Sequence, residues 1–221
     1  MIIPDSFPWD AGTGPALLSA AAVMLLVASD FKSWRPGRYL FKPLAALAFL
    51  WLAMSLAPFK SDFGLLLLVG LLLCAAGDIL LMFESDKAFL AGLVSFLCGH
   101  LFYAMAFSRL PMNILGLGLS LVPALILVGG SLRWLRPHLT GPMTRAVPAY
   151  MLVIAAMLVF AGMTAGQAGA VLIITGAWGF ACSDLAVARR QFVVASPFNG
   201  LWGTPLYFGS QMLLAASLAF H

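Results

Sequence analysis

The sequence predicts an all-α fold: a polytopic membrane bundle of about eight transmembrane helices, forming one integral membrane domain over residues 1–221. Three observations carry this expectation. Of the 221 residues 62% are hydrophobic and only 9% charged, where a soluble domain carries roughly 25% charged residues. The apolar residues fall into runs of about 20, the length at which a helix crosses a bilayer, with short polar turns between them. The basic residues gather in alternate turns, as loop charges do in membrane proteins.

The first apolar run, 12–29, follows an N-terminus that holds Asp5 and Asp10 and no lysine or arginine. A secretory signal has a positive start, so this run is expected to persist as a helix. The second, 40–58, carries Lys42-Pro43 close to its beginning. The third, 64–83, is leucine-rich yet contains Asp78, and the fourth, 88–108, contains His100 and Tyr103. The fifth runs over 112–132 and holds no charged residue. The sixth, 146–164, holds Tyr150; the seventh, 168–187, holds Asp184; the eighth, 200–220, holds Tyr207 and Gln211. The connections leave no room for a soluble domain, and no internal repeat suggests an inverted-repeat transporter.

The topology follows from the loop charges. Lys32, Arg35, Arg38 and Lys42, then Lys87, then Arg133, Arg136 and Arg145, then Arg189 and Arg190 fall in the odd turns. Only Lys60 and Arg109 fall in the even ones. Ten against two predicts cytoplasmic odd turns and both termini on the opposite side, in a bacterium across the inner membrane. The isoelectric point near 9.2 then reports membrane orientation, and no nucleic-acid partner is expected. The three cysteines, Cys74, Cys98 and Cys182, lie in apolar runs; their odd number argues against a disulfide framework.

An ionised side chain at the centre of a spanning helix costs about 2.5–3.5 kcal/mol on insertion scales, so intramembrane polar groups mark candidate function. Asp78 and Asp184 are the two acids of eight that lie well inside runs, and His100 is the one such histidine. With the alternating topology, Asp78 and Asp184 fall toward the cytoplasmic end, beside Lys42 and Tyr207. Tyr103 shares a helix face with His100, and Gln211 with Tyr207. One polar chamber in the cytoplasmic half of the bundle is therefore expected.

Each residue also has a plainer reading. Asp78 pairs with Lys42 as structural glue; Asp184 sits at the interface with Arg189 or Arg190; His100 is a packing residue; the tyrosines are core or belt aromatics; Lys42 is a snorkelling anchor. The chain has no G-x-S-x-G elbow, no H-E-x-x-H zinc motif and no glycine-rich phosphate loop. Asp78, His100 and Asp184 could hold a metal between them, since mixed imidazole and carboxylate sites exist, but without a spaced pair on one helix that signal is weak, and the expectation is a site with no metal or other cofactor.

The run Gly77-Asp78-Ile79-Leu80-Leu81-Met82, the segment from Phe89 to Phe96, and His100 with Tyr103 together resemble the YhhN family. So do Gly176 to Asp184 and, more loosely, Lys42-Pro43, Tyr150, and Tyr207 with Gln211. The resemblance runs from about Lys42 to Gln211. It implies an eight-helix fold and lysoplasmalogenase chemistry, the hydrolysis of a lysoplasmalogen's vinyl ether to a fatty aldehyde and glycerophosphocholine or glycerophosphoethanolamine. It further implies Asp78 and Asp184 as catalytic carboxylates, with Lys42, His100, Tyr103, Tyr150, Tyr207 and Gln211 around the substrate. The expected partners are a lysophospholipid and the bilayer itself; the oligomeric state stays open. Vinyl ethers yield to acid through carbon protonation, which two buried carboxyls without a nucleophile can supply. Two other classes stand beside this: a small-solute or proton-coupled transporter using the two aspartates, and a lipid-binding protein without chemistry.

Overall fold

The structure, a computed structural model, describes residues 8–221. The N-terminal stretch containing Asp5 lies outside the described residues. The described chain forms eight long helices and no strand: α1 (Trp9–Phe31), α2 (Arg35–Ser55), α3 (Asp62–Leu80), α4 (Asp86–Phe107), α5 (Ile114–Leu135), α6 (Met143–Met163), α7 (Ala170–Ala188) and α8 (Phe198–Ala216).

Local chemistry sets the boundaries. Ser61, Ser85 and Asn113 cap α3, α4 and α5, their side-chain oxygens accepting from the amides of Gly64, Ala88 and Leu115, which relieves helix-end donors that have no intrahelical partner. Helix α2 begins at Arg35, earlier than its apolar run, because Pro36 sits in its first turn, where proline's missing N–H costs nothing. An apolar-run criterion cannot see such a polar first turn.

Six helical stretches are long and apolar enough to cross a membrane, and α2 and α8 are the two helices that are not. Arg38 and Lys42 dilute α2, and Asn199, Thr204, Tyr207, Ser210 and Gln211 dilute α8. These two helices pack against each other and against α1, α3 and α7. The most polar helices are thus the ones whose polar groups have protein beside them, as a low-dielectric surrounding demands. Outward, the bundle exposes large apolar side chains such as Leu17, Met24, Leu119, Ile126 and Leu152. An apolar belt of that kind is unsuited to water and suited to lipid tails. This is a multi-pass membrane protein.

The pair α3–α4 carries Asp78 and His100, and it is held at unusually close approach. A Cβ on Gly99 would lie 2.7 Å from the Cys74 sulfur, and one on Gly77 2.8 Å from the Phe96 ring. Small residues let membrane helices reach backbone-to-side-chain contact where no hydrophobic force drives them together. Here that contact fixes Asp78 on α3 relative to Phe96 and His100 on α4.

Candidate active site

A cavity of about 750 Å3 opens at the end of the bundle where α1, α3 and α7 finish and α2, α4, α6 and α8 begin. These are the basic odd turns of the sequence. Asp78, Asp184, Lys42, Tyr150 and Tyr207 line it, among apolar side chains that include Leu93, Phe96, Val147 and Met151.

Asp78 is two residues from the end of α3 and 2% exposed. Its two oxygens have separate partners: Oδ1 lies 3.3 Å from the Lys42 ammonium, and Oδ2 accepts from the Tyr207 hydroxyl at 2.7 Å. Three helices therefore meet on one carboxylate. Both the counter-charge and the hydrogen bond are what a buried carboxylate requires.

Asp184 has different surroundings. Its Oδ2 accepts from the Tyr150 hydroxyl of α6 at 2.9 Å and lies 3.3 Å from His100 Nε2. That second contact is close but off the hydrogen-bonding direction, leaving Nε2 without a formal partner. His100 is fully buried, and its Nδ1 lies 2.7 Å from the Phe96 carbonyl oxygen. A carbonyl only accepts, so Nδ1 carries a proton, and Nε2 is the nitrogen turned toward Asp184. Phe180 stacks on the imidazole at 4.1 Å and Tyr150 meets it edge-on at 5.3 Å, so the ring cannot easily turn away.

Deeper in the bundle, Tyr103 donates to Gln211 Oε1 at 2.5 Å, with the buried Cys74 of α3 in the same layer. Gln211 Nε2 is buried and without a hydrogen-bond partner. Tyr103 and Gln211 do not line the cavity.

The eight residues singled out in the sequence thus divide. Lys42, Asp78, Tyr150, Asp184 and Tyr207 face the cavity; His100 stands directly behind Asp184; Tyr103 and Gln211 form a floor beneath. Asp184 pairs with α4 and α6 and not with Arg189 or Arg190. Arg189 instead donates to Asn199 Oδ1, while Arg190 lines the cavity mouth. Two contributors were not evident from the sequence. Phe96 holds the histidine through its backbone carbonyl, for which its i−4 spacing from His100 was the available signal. Asn199, 1% exposed, ties α8 to the turn after α7, but it lies at the very edge of an apolar run and left no signal. Among the described residues, no three His, Cys, Asp or Glu side chains converge as metal ligands would.

Fold and site define a polytopic helical membrane protein with paired intramembrane aspartates at the bottom of a chamber open to one face. The chain belongs to the YhhN family, whose model matches residues 37–218. It is 34% identical over 155 residues to the bovine protein named lysoplasmalogenase TMEM86A, an alignment covering 67% of this chain and 63% of that protein. To human lysoplasmalogenase TMEM86B it is 30% identical, over 97% of this chain and 88% of the relative, and to the mouse TMEM86B 33% identical, over 92% and 84%. The chain thus spans less than two thirds of the length of the TMEM86A proteins it matches. No solved structure matches it.

Proposed function

We infer that the protein is a membrane hydrolase that cleaves the vinyl ether bond of lysoplasmalogens, giving a fatty aldehyde and glycerophosphocholine or glycerophosphoethanolamine. The observation that carries this reading is the pair of cavity-facing carboxylates in unlike settings, Asp78 against a lysine and Asp184 against a histidine. Relatives bearing the lysoplasmalogenase name support it.

In this reading Asp184 is the proton donor, and Asp78, which has the ammonium of Lys42 as its counter-ion, is the carboxylate that stabilises charge. Asp184 delivers its proton to the vinyl carbon remote from the ether oxygen. The adjacent carbon and the oxygen then share a positive charge, as in glycoside hydrolysis, and the Asp78 carboxylate stabilises it. Water adds to the cationic carbon and loses a proton to Asp184, now a base. The resulting hemiacetal collapses, its hydroxyl proton passing to the departing glycerol oxygen, to aldehyde and alcohol. His100 Nε2 holds or returns a proton behind Asp184, and the hydroxyls of Tyr150 and Tyr207 fix the two carboxylates. The apolar wall at Leu93, Val147 and Met151 takes the first part of the chain. By the basic asymmetry of the loops, the chamber opens to the cytoplasm and both termini face away from it.

The test is turnover of a choline lysoplasmalogen by purified, reconstituted protein in deuterium oxide, with the aldehyde reduced at once. The alcohol should carry one deuterium on the carbon next to the former carbonyl. The matching ester lysolipid, which has no such carbon, should be cleaved far more slowly. Unlabelled aldehyde, or fatty acid released from the ester at a comparable rate, would refute this chemistry.

A further inference from the structure

Eight charged side chains line the cavity, and six of them are accounted for within the protein. Asp78 faces Lys42, Asp184 faces His100, Asp30 holds Arg38 at 2.9 Å, and Glu84 is met from outside the cavity by Arg35 at 2.8 Å. Two have no ion-pair partner among the described residues: Arg190 and Asp86. Both are exposed, both stand at the mouth, and they carry opposite charge. They come from elements that touch. Phe89, one turn after Asp86 on the same face of α4, meets Phe192 edge-on at 6.2 Å, and Phe192 belongs with Arg190 to the π-helical turn Arg189–Val193.

We propose that the mouth recognises a zwitterionic phosphodiester head group: Arg190 takes the phosphate, and Asp86, with Glu84 and the rings of Phe83 and Phe89 beside it, takes the cationic amine. This rests on the lysolipid reading of the site. Arginine suits phosphate through its planar fork of donors. A cationic amine is held by carboxylates and by aromatic faces, and Phe83 and Phe89 both line the mouth. The first turn of α4 favours an acid at Asp86 in any case, but that does not require it to line a cavity that Arg190 also lines. The spacing agrees. Arg190 follows Asp184 by six residues, about 9 Å along a helix, the reach of a glycerol bridge between a phosphate and a vinyl ether. The Glu84–Arg35 pair is exposed on both sides and therefore weak, so Glu84 is free to turn to an incoming amine. A lipid ending in a bare phosphate satisfies Arg190 but brings negative charge against Asp86 and Glu84.

The experiment uses saturated-ether analogues, which have no vinyl group to cleave, so binding is read apart from catalysis. Calorimetric titration of the full-length protein in neutral detergent compares an analogue with a phosphocholine head against one ending in phosphate. The wild type should prefer phosphocholine by about tenfold or more, the effect of one or two partly screened contacts. Arg190→Glu should weaken phosphocholine binding about tenfold, with Arg190→Gln intermediate. Asp86→Lys should reverse the preference toward the bare phosphate. Equal binding of both analogues by wild type, or an unchanged preference in Asp86→Lys with its melting curve intact, would overturn the proposal. If the charge-dependent preference appears while the vinyl ether lipid stays uncleaved, the head-group site stands and the hydrolase reading falls. Cleavage with no head-group preference would leave the hydrolase standing and remove the head-group site.

Discussion

Replacing Lys42 with methionine isolates the ion pair at the centre of the chamber. Lys42 Nζ and Asp78 Oδ1 are 3.3 Å apart, which at an effective dielectric of about 20 corresponds to about 5 kcal/mol of attraction. Taking both groups out of water offsets much of that, so the pair itself contributes little net stability. Removing one partner is another matter. Asp78 would keep only the Tyr207 hydroxyl, and an uncompensated buried charge costs about 3–5 kcal/mol. At about 2–4 °C per kcal/mol for a chain of this size, Lys42→Met should melt about 6–20 °C below wild type in mild detergent. Asp78→Asn removes the charge from the other side. The double variant, with neither charge, should recover most of the stability lost in Lys42→Met, so the two substitutions are non-additive by about 2–3 kcal/mol. Neither the single nor the double variants should turn over substrate. Additive melting shifts, or a Lys42→Met protein as stable as wild type, would show that the ammonium is not the counter-ion of Asp78.

Two further outcomes follow from the site and the loops. Asp184→Asn keeps the Tyr150 contact but has no proton to give, so its turnover should fall by roughly 10²–10⁴-fold with the melting curve nearly unchanged; activity near wild type, or loss of wild-type activity in EDTA restored by a divalent metal, would contradict the carboxyl mechanism. A single cysteine placed in the turn between α5 and α6, at Gly141, should react with an impermeant thiol reagent only from the cytoplasmic side, in a background with Cys74, Cys98 and Cys182 replaced. Labelling in intact cells would invert the orientation and move the chamber to the other face.

Much of this was legible in the sequence because lipid is an unforgiving solvent. A helix that must satisfy its backbone internally and cover itself in apolar side chains leaves its polar residues conspicuous, so Asp78, Asp184 and His100 stood out before any contact was known. The partnerships were less legible. Periodicity puts Tyr207 and Gln211 on one face of α8, but nothing in the spacing says that Tyr207 reaches Asp78 on α3 while Gln211 reaches Tyr103 on α4. Those are facts of helix order around the bundle. Asp184 shows the limit most clearly. Its nearness in sequence to Arg189 and Arg190 suggested an interfacial pair, yet residues five and six positions on lie over another turn, and the arginines are directed to Asn199 and to the mouth. Helices α2 and α8, diluted by the groups that build the chamber, were the least lipid-like on composition alone and supply Asp78 with its partners Lys42 and Tyr207.

The floor of the chamber bears on the energetics of the cell as well as on the reaction. In the proposed mechanism the proton-handling groups run from the open mouth to Asp184 and His100, and the hydrogen-bonded pair of Tyr103 and Gln211 lies deeper alongside. Beyond Gln211 the buried side chains are mostly apolar, Leu214 on α8, Leu67 and Leu71 on α3 and Phe107 on α4, and the buried Ser217 hydroxyl is tied to the Leu214 carbonyl. On the histidine branch the Nδ1 proton is tied to the Phe96 carbonyl, which cannot pass it on. In the proposed mechanism the proton path therefore ends at His100. Acid groups placed this deep in an energised membrane would be a hazard if they connected its two faces, because every ion that crossed unpaid would dissipate the gradient. A path closed in that way lets the proposed hydrolase keep exchangeable protons inside the hydrocarbon layer while the membrane stays electrically sealed.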